Sequence, residues 1–357
     1  MARALELAAR GLNTTDPNPR VGAVVARADE VLGEGWHERA GEPHAEVHAL
    51  RAAGARARGA TLYVTMEPCS HHGRTPPCTD AVIAAGISRV VSATADPNPT
   101  VNGAGLEKLR AAGIAVEAGL LEAPARELNR GFVRRMRRQA PWVRLKLGVS
   151  LDGRTALASG ESRWITSEAA RADVQHWRAR SSAILTSFAT VLRDDPRLDV
   201  RIEGATRQPL RVILDSNLET PADARILDAP GSVLILTGAS SAVTRAALEQ
   251  RGARIEGVER ATSGGLDLRA VMGQLAALEV NELWVECGPR LGGALVDSRL
   301  VDELVIYVAP SLLGNDARGM FDLPPLRALA ARSAWRFTDV RRVGEDLRIQ
   351  AQPVGES

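Results

Sequence analysis

His44 and Glu46 stand close together in the chain, and Pro68-Cys69 and then Cys78 follow. One imidazole and two thiolates supply the three protein ligands of a catalytic zinc, whose fourth position stays open to water. A carboxylate beside them is free to carry protons. His-x-Glu followed by Pro-Cys and a further cysteine is the signature of zinc-dependent nucleobase deamination, with the glutamate as acid and base rather than as ligand. Each part alone is commonplace: His-x-Glu is ordinarily a solvated pair, and scattered cysteines are ordinarily core residues. The conjunction points to Glu46 as the catalytic residue and to His44, Cys69 and Cys78 as the metal set.

Local sequence must place these groups. Thr61 to Met66 reads as a buried strand that delivers Cys69 to a loop at its carboxyl end, and Thr75-Pro76-Pro77 as the start of a helix opening at Cys78. At a helix N-terminus the dipole and free amides are expected to favour the Cys78 thiolate. His44 opens another helix, with Pro43 expected at its first position and Val47, Leu50 and Ala53 on the apolar face. His48 lies one turn later, but a fourth ligand would close the site, so a supporting role is expected for it. His71 and His72 are expected to be exposed, and Cys287, after the apolar Leu283-Trp284-Val285, to be a buried, unreactive thiol. The insert from Ser70 to Pro77 is longer than the cysteine spacing of deaminases that act on tRNA, DNA or free nucleosides. Its Arg74 is a fixed cation suited to a phosphate on a small substrate.

Length and charge bound the rest. The chain has 357 residues and a net charge of +2, enough for two cores and too neutral for a general nucleic-acid binder. Few cysteines and no signal sequence lead us to expect a cytoplasmic protein, and no apolar run is long enough to cross a membrane. Leu128 to Arg138 reads as a basic helix with a solvated charged face, stopped at Ala140-Pro141, which sets expected domains of 1–140 and 141–357. Before it, helices and strands alternate as in a mixed sheet covered by helices. After it, Trp142 to Val149, Ala183 to Thr186, Leu210 to Asp215, Ser232 to Thr237, Glu282 to Cys287 and Leu304 to Ala309 read as strands buried on both faces, with helices at Ser167 to Arg180, Ser241 to Arg251 and Leu268 to Leu278. In such an α/β sheet the ligand lies at the carboxyl ends of the strands. There Gly288-Pro289-Arg290-Leu291-Gly292-Gly293-Ala294 opens a helix whose amides could cradle a pyrophosphate.

Asp16-Pro17-Asn18-Pro19-Arg20-Val21-Gly22, Gly41 to Glu46, and Glu67-Pro68-Cys69 through Cys78 resemble the deaminase half of the bifunctional riboflavin-biosynthesis deaminase/reductase family. Lys146 to Thr155, Ser159 to Thr166 and Asp194-Asp195-Pro196 resemble its reductase half, so the likeness spans nearly the whole chain. The resemblance implies a cytidine-deaminase-like domain with one zinc, followed by a dihydrofolate-reductase-like α/β domain using NADPH. It implies substrate contacts at Asn18, His37 and Arg74 in the first domain and at Ser162, Arg178, Leu198, Arg201 and Glu286 in the second. By the same resemblance Gly148, Trp164, Thr190, Asp194, Ser216 and Gly288 to Ala294 line the cofactor. Arg178 and Arg201 suit a phosphate clamp, and Asp194 or Glu286 could assist proton movement. The family often has glycine where this chain has Ser187.

The implied reactions are hydrolytic deamination of 2,5-diamino-6-(5-phosphoribosylamino)pyrimidin-4-one and NADPH-dependent reduction of the ribosyl group to ribityl. The expected partners are that phosphorylated pyrimidine and further copies of the chain, with neither nucleic acid nor membrane. Two other readings stay open at this point. One is a nucleic-acid deaminase with a noncatalytic second domain, and the other is a protein with a structural zinc, although such zincs usually have four protein ligands.

Overall fold

Short apolar runs become strands in both halves of the chain, but the two halves pair them differently. The computed structural model describes residues 1–72, 76–99, 101–262 and 264–355. The chain divides into two compact units, Met1–Ala140 and Pro141–Ser357.

The first unit runs α1 (Ala2–Ala9), β1 (Gly22–Arg27), β2 (Glu30–Trp36), α2 (Ala45–Ala53), β3 (Thr61–Val64), α3 (Cys78–Ala84), β4 (Arg89–Ser92), α4 (Ala104–Ala111), β5 (Ala115–Ala118), α5 (Glu122–Leu128) and α6 (Arg130–Arg138). Its sheet has the order β2-β1-β3-β4-β5. β1 is antiparallel to β2 and β3, whereas β3, β4 and β5 run parallel. Val25, Leu62, Val64 and Val90 of the sheet meet Ala49, Leu50, Val82 and Leu109 of the helices in one core. Two glycines let α2 lie directly on the sheet. A Cβ at Gly33 would stand 2.3 Å from the Ala49 carbonyl oxygen, and one at Gly35 2.6 Å from that of Ala45, so any side chain would push away the helix that carries Glu46.

The expected mixed sheet is present, with additions. β5 and α5 carry too little apolar periodicity to be read from sequence, and the basic helix is shorter than Leu128 to Arg138. Its face is not wholly solvated either. Arg135 is buried, stacks on Phe132 at 5.7 Å and donates to the Pro17 carbonyl at 3.4 Å. The long aliphatic stem of arginine tolerates such burial while its head finds acceptors.

The second unit runs β6 (Trp142–Ser150), β7 (Arg154–Ala156), α7 (Glu168–Arg180), β8 (Ala183–Ser187), α8 (Phe188–Asp194), β9 (Leu210–Leu214), α9 (Arg225–Asp228), β10 (Val233–Thr237), α10 (Ala242–Gln250), β11 (Ala253–Gly257), α11 (Leu268–Ala277), β12 (Glu282–Glu286), α12 (Pro289–Asp297), β13 (Glu303–Ala309), β14 (Arg318–Gly319), β15 (Trp335–Val343) and β16 (Asp346–Pro353). Its main sheet has the order β11-β10-β9-β8-β12-β6-β13-β16-β15, and β7 pairs with β14 apart from it. From β11 to β13 every pairing is parallel, as uniformly apolar strands buried on both faces predict. β16 and β15 then add an antiparallel hairpin. β15 is exposed along most of its length and has no apolar face to announce it. Under the central strands Trp177 and Trp284 stack at 5.5 Å with nearly parallel rings, and Arg144 is buried between Glu282 and Glu303.

Candidate active sites

The helix α2 begins at Ala45 and not at Pro43. His44 takes extended backbone angles (φ −76°, ψ 165°) as the N-cap, so its ring leaves the helix axis while Glu46 stays in the first turn. β3 ends short of Cys69, and α3 starts at Cys78. These three termini bring His44 Nδ1, Cys69 Sγ and Cys78 Sγ within 4.8 Å of one another. His44 Nδ1 lies 3.3 Å from Cys78 Sγ and 3.6 Å from Cys69 Sγ. Tetrahedral zinc with nitrogen and sulfur ligands has ligand-to-ligand edges of about 3.5 Å, so the donor set fits that ion without rearrangement. Among the described residues this is the one such cluster.

The helix terminus serves the other cysteine. The Cys78 backbone N–H donates to Cys69 Sγ at 3.3 Å. The Cys78 thiol, His44 and that amide lower Cys69, while the neighbouring Cys69 and burial push Cys78 up. A cation would take both sulfurs as thiolates.

Glu46 is 3 % exposed, and its Oε2 has no hydrogen-bond partner among the described residues. Burial pushes its carboxyl up to about 7. A buried, unsatisfied carboxylate oxygen beside a cation-binding set is costly unless a ligand or water meets it. His37 and Asn18 sit on the same side. His37 meets the Pro43 carbonyl through Nδ1 at 3.2 Å, which makes Nδ1 the protonated nitrogen, and its Nε2 accepts from Asn18 Nδ2 at 3.1 Å. Its ring meets His44 edge-on at 5.2 Å, and burial pushes it down to about 4, so it is neutral. Arg74 lies outside the described residues. His48 is not in the metal cluster and its Nε2 is buried, and His71 and His72 are exposed.

The second unit holds a cavity of about 880 Å³ at the carboxyl ends of β6, β8 and β12. Of the expected residues, Gly148, Ser162, Trp164, Arg178, Thr190, Asp194, Leu198, Arg201, Glu286 and Gly288 to Leu291 line it. Ser216 and Gly292 to Ala294 are not in that wall. Ser216 gives its carbonyl to Arg260 at 2.6 Å, and Gly293 packs on the chain instead, since a Cβ there would stand 2.1 Å from the Asp322 carbonyl oxygen. Ser187 caps α8, accepting from the Thr190 amide at 3.3 Å, which gives that position a use for a hydroxyl.

Arg178 is not an open phosphate clamp. Its Nε and one terminal nitrogen hold both Glu286 oxygens at 2.6 and 3.0 Å, and its other terminal nitrogen donates to the Asp199 carbonyl at 3.1 Å. Glu286 also accepts from Trp284 Nε1 at 2.9 Å, and despite burial the charges of Arg178 and Lys146 hold it down at about 2. Arg201 is exposed, with only a loose contact to Asp199 at 3.7 Å. Lys146, whose ammonium burial pushes down, faces the same cavity, and sequence reading passed over it because a lone lysine in a strand looks solvated. Cys287, expected to be inert, also reaches the cavity wall, and burial pushes its thiol up to about 12.

Residues 1–94 match the cytidine and deoxycytidylate deaminase zinc-binding region, and residues 141–349 match the RibD C-terminal domain. The riboflavin biosynthesis protein RibD of Escherichia coli is 52 % identical over 366 residues, covering 97 % of this chain and 96 % of the relative. The chain belongs to the RibD family. RibD of Acinetobacter baumannii shares its structure at a TM-score of 0.93 with 43 % identity, over 99 % of this chain and 98 % of that one. The diaminohydroxyphosphoribosylaminopyrimidine deaminase/5-amino-6-(5-phosphoribosylamino)uracil reductase of Thermotoga maritima follows at 0.86 and 33 %, over 99 % of this chain and 97 % of that one. As a RibD family member this chain is a bifunctional deaminase/reductase of riboflavin biosynthesis, with a cytidine-deaminase-like and a reductase α/β domain. That sets aside the reading of a nucleic-acid deaminase with a noncatalytic second domain. No helix among the described residues is long and apolar enough to cross a membrane.

Proposed function

We propose that unit 1–140 deaminates 2,5-diamino-6-(5-phosphoribosylamino)pyrimidin-4-one with zinc held by His44, Cys69 and Cys78, and that unit 141–357 reduces the product's ribosyl group with NADPH. The observation that carries the first half is the three-donor cluster beside the buried, unpartnered Glu46 oxygen. When bound, zinc supplies a Lewis acid that brings a water in its open position toward ionisation at neutral pH. Glu46 Oε2 takes the proton that the attacking water gives up and returns it to the amino group as the C–N bond breaks and ammonia leaves. Neutral His37 and Asn18, already joined to each other, present a fixed polar edge to the ring. Arg74 is assigned to the substrate phosphate on residue chemistry alone.

In the second unit NADPH, when bound, supplies the hydride. Gly148, Trp164, Thr190, Asp194 and Gly288 to Leu291 form the wall assigned to it, with Ser162, Leu198, Arg201 and Glu286 toward the substrate. Glu286, held as a carboxylate, is an anchor and a poor proton donor. Lys146 is better suited to protonate the oxygen of the ring-opened ribosyl carbonyl, because its ammonium is partly desolvated in the same cavity. The basic rim, with Arg163, Arg171, Arg193 and Arg197, suits two phosphorylated ligands. The protein is expected to work in the cytoplasm on a small phosphorylated pyrimidine, as a homo-oligomer.

The test is a metal assay combined with NADPH absorbance, with and without the diaminopyrimidine phosphate. About one zinc per chain and substrate-dependent NADPH oxidation are expected. Deamination that survives complete zinc removal overturns the first assignment, and NADPH oxidation that ignores the deaminated product overturns the second.

A further inference from the structure

The carboxylate of Glu67, two positions before a metal-set cysteine, has no part in the mechanism above. It is 5 % exposed, and no cation pairs with it among the described residues. Its partners are backbone amides instead. Oε2 accepts from Asp96 at 3.0 Å and Gly103 at 2.9 Å, and Oε1 from Gly105 at 2.8 Å and Leu106 at 3.4 Å. Its own N–H donates to the Thr94 carbonyl at 2.9 Å. One residue thereby ties the segment leading to Cys69 to the chain after β4, through its backbone N–H and its carboxylate, and to the first turn of α4, through its carboxylate.

The contact continues one residue further. A Cβ on Gly105 would stand 2.0 Å from the Pro68 carbonyl oxygen, so α4 touches the backbone immediately before Cys69. Cys69 is then held from the other side, since its carbonyl accepts from Thr79 at 3.2 Å and its sulfur from the Cys78 amide at 3.3 Å. The peptide carrying the thiolate is clamped between α4 and α3. A carboxylate suits this position: each oxygen can accept twice, and its charge opposes the positive end of a helix.

We propose that Glu67 is a positioning residue that fixes the Cys69 thiolate for the metal through α4. The inference rests on Cys69 being a zinc ligand. An amide in place of the carboxylate would turn an NH2 group toward N–H donors, lose half the acceptor capacity and release the Pro68-Cys69 peptide. Groups that orient a ligand from outside typically change metal affinity by about 10–100-fold when removed.

The full-length Glu67→Gln protein tests this by chelator competition for zinc and by the absorption of the cobalt(II)-substituted form. We expect zinc affinity to fall about 10-fold or more, a shift in the cobalt d–d and thiolate charge-transfer bands, a drop in kcat for deamination with KM nearly unchanged, and an unaltered reductase. Wild-type zinc affinity together with a wild-type cobalt spectrum, in a protein that merely melts earlier, would overturn the proposal. If Glu67→Gln does not fold, Gly105→Ala decides, because it pushes α4 off Pro68 while keeping the carboxylate: a shifted cobalt spectrum supports the clamp and an unshifted one refutes it. A wild-type protein without affinity for zinc would instead remove the ligand assignment on which the clamp rests.

Discussion

Each unit buries a glutamate in its site, and the two are treated in opposite ways. Glu46 has an oxygen without a partner and is pushed up to about 7 by loss of water. Glu286 has Arg178 on both oxygens, Trp284 on one and Lys146 nearby, and it is held at about 2. Burial opposes ionisation in both; only the company differs. Glu46 keeps one oxygen unpartnered, whereas both oxygens of Glu286 are met. On the assignment proposed above, that separation would let one chain use the same side chain as a proton carrier in one unit and as a fixed charge in the other.

The contrast can be broken most sharply at Glu46. Glu46→Gln keeps the shape but cannot shuttle a proton, so deamination should fall by about 10²-fold or more while zinc content and reductase turnover stay at wild-type values. Loss of zinc in that variant would make Glu46 a ligand and undo its side of the comparison. On the other side, Arg178→Ala leaves Glu286 charged and buried with its main partner gone. We expect the second unit to lose about 3–5 kcal/mol in denaturant unfolding; a wild-type midpoint would mean that the pair is dispensable.

Arg201→Ala probes an exposed cation of the same cavity. It should raise KM for the ribosyl phosphate by about 10-fold and leave KM for NADPH nearly unchanged, and steady-state kinetics with each ligand varied separates the two. The smallest effect is confined to acid. Glu286 titrates near 2 when folded and near the ordinary 4.5 when unfolded, so its contribution to stability is complete above about pH 4.5 and is lost as pH falls toward 2. In Glu286→Gln the stability of the second unit should therefore vary less across that window than in the wild type, and a parallel decline in both proteins would argue against the depressed value.

What could be read from the sequence follows the same division. The three-donor cluster was legible because histidine, cysteine and glutamate carry their chemistry wherever they sit, and short segments bring them together. Its fine structure was not: Pro43 reads as a first helical residue until the angles of His44 are known. Glu67 gave no signal because its partners are main-chain amides, which any sequence supplies. In the second unit the parallel strands were legible from uniform apolar runs, whereas β15 escaped because an exposed edge strand has no apolar face to show, and β16 because polar residues such as Asp346 and Arg348 take its buried positions. Gly293 was read as part of a phosphate cradle, and a glycine that admits a neighbouring backbone looks the same in sequence as one that admits a ligand.

The stacked Trp177 and Trp284 give the second unit an optical property of its own. Two indoles 5.5 Å apart and 5° from parallel couple their excited states, and the Trp284 N–H is bonded to the same Glu286 oxygen that receives the Arg178 Nε. A ligand that draws on Glu286 must alter the field at one member of the pair. Filling the cavity is therefore expected to change the near-ultraviolet circular dichroism of the protein, a readout that needs neither label nor turnover.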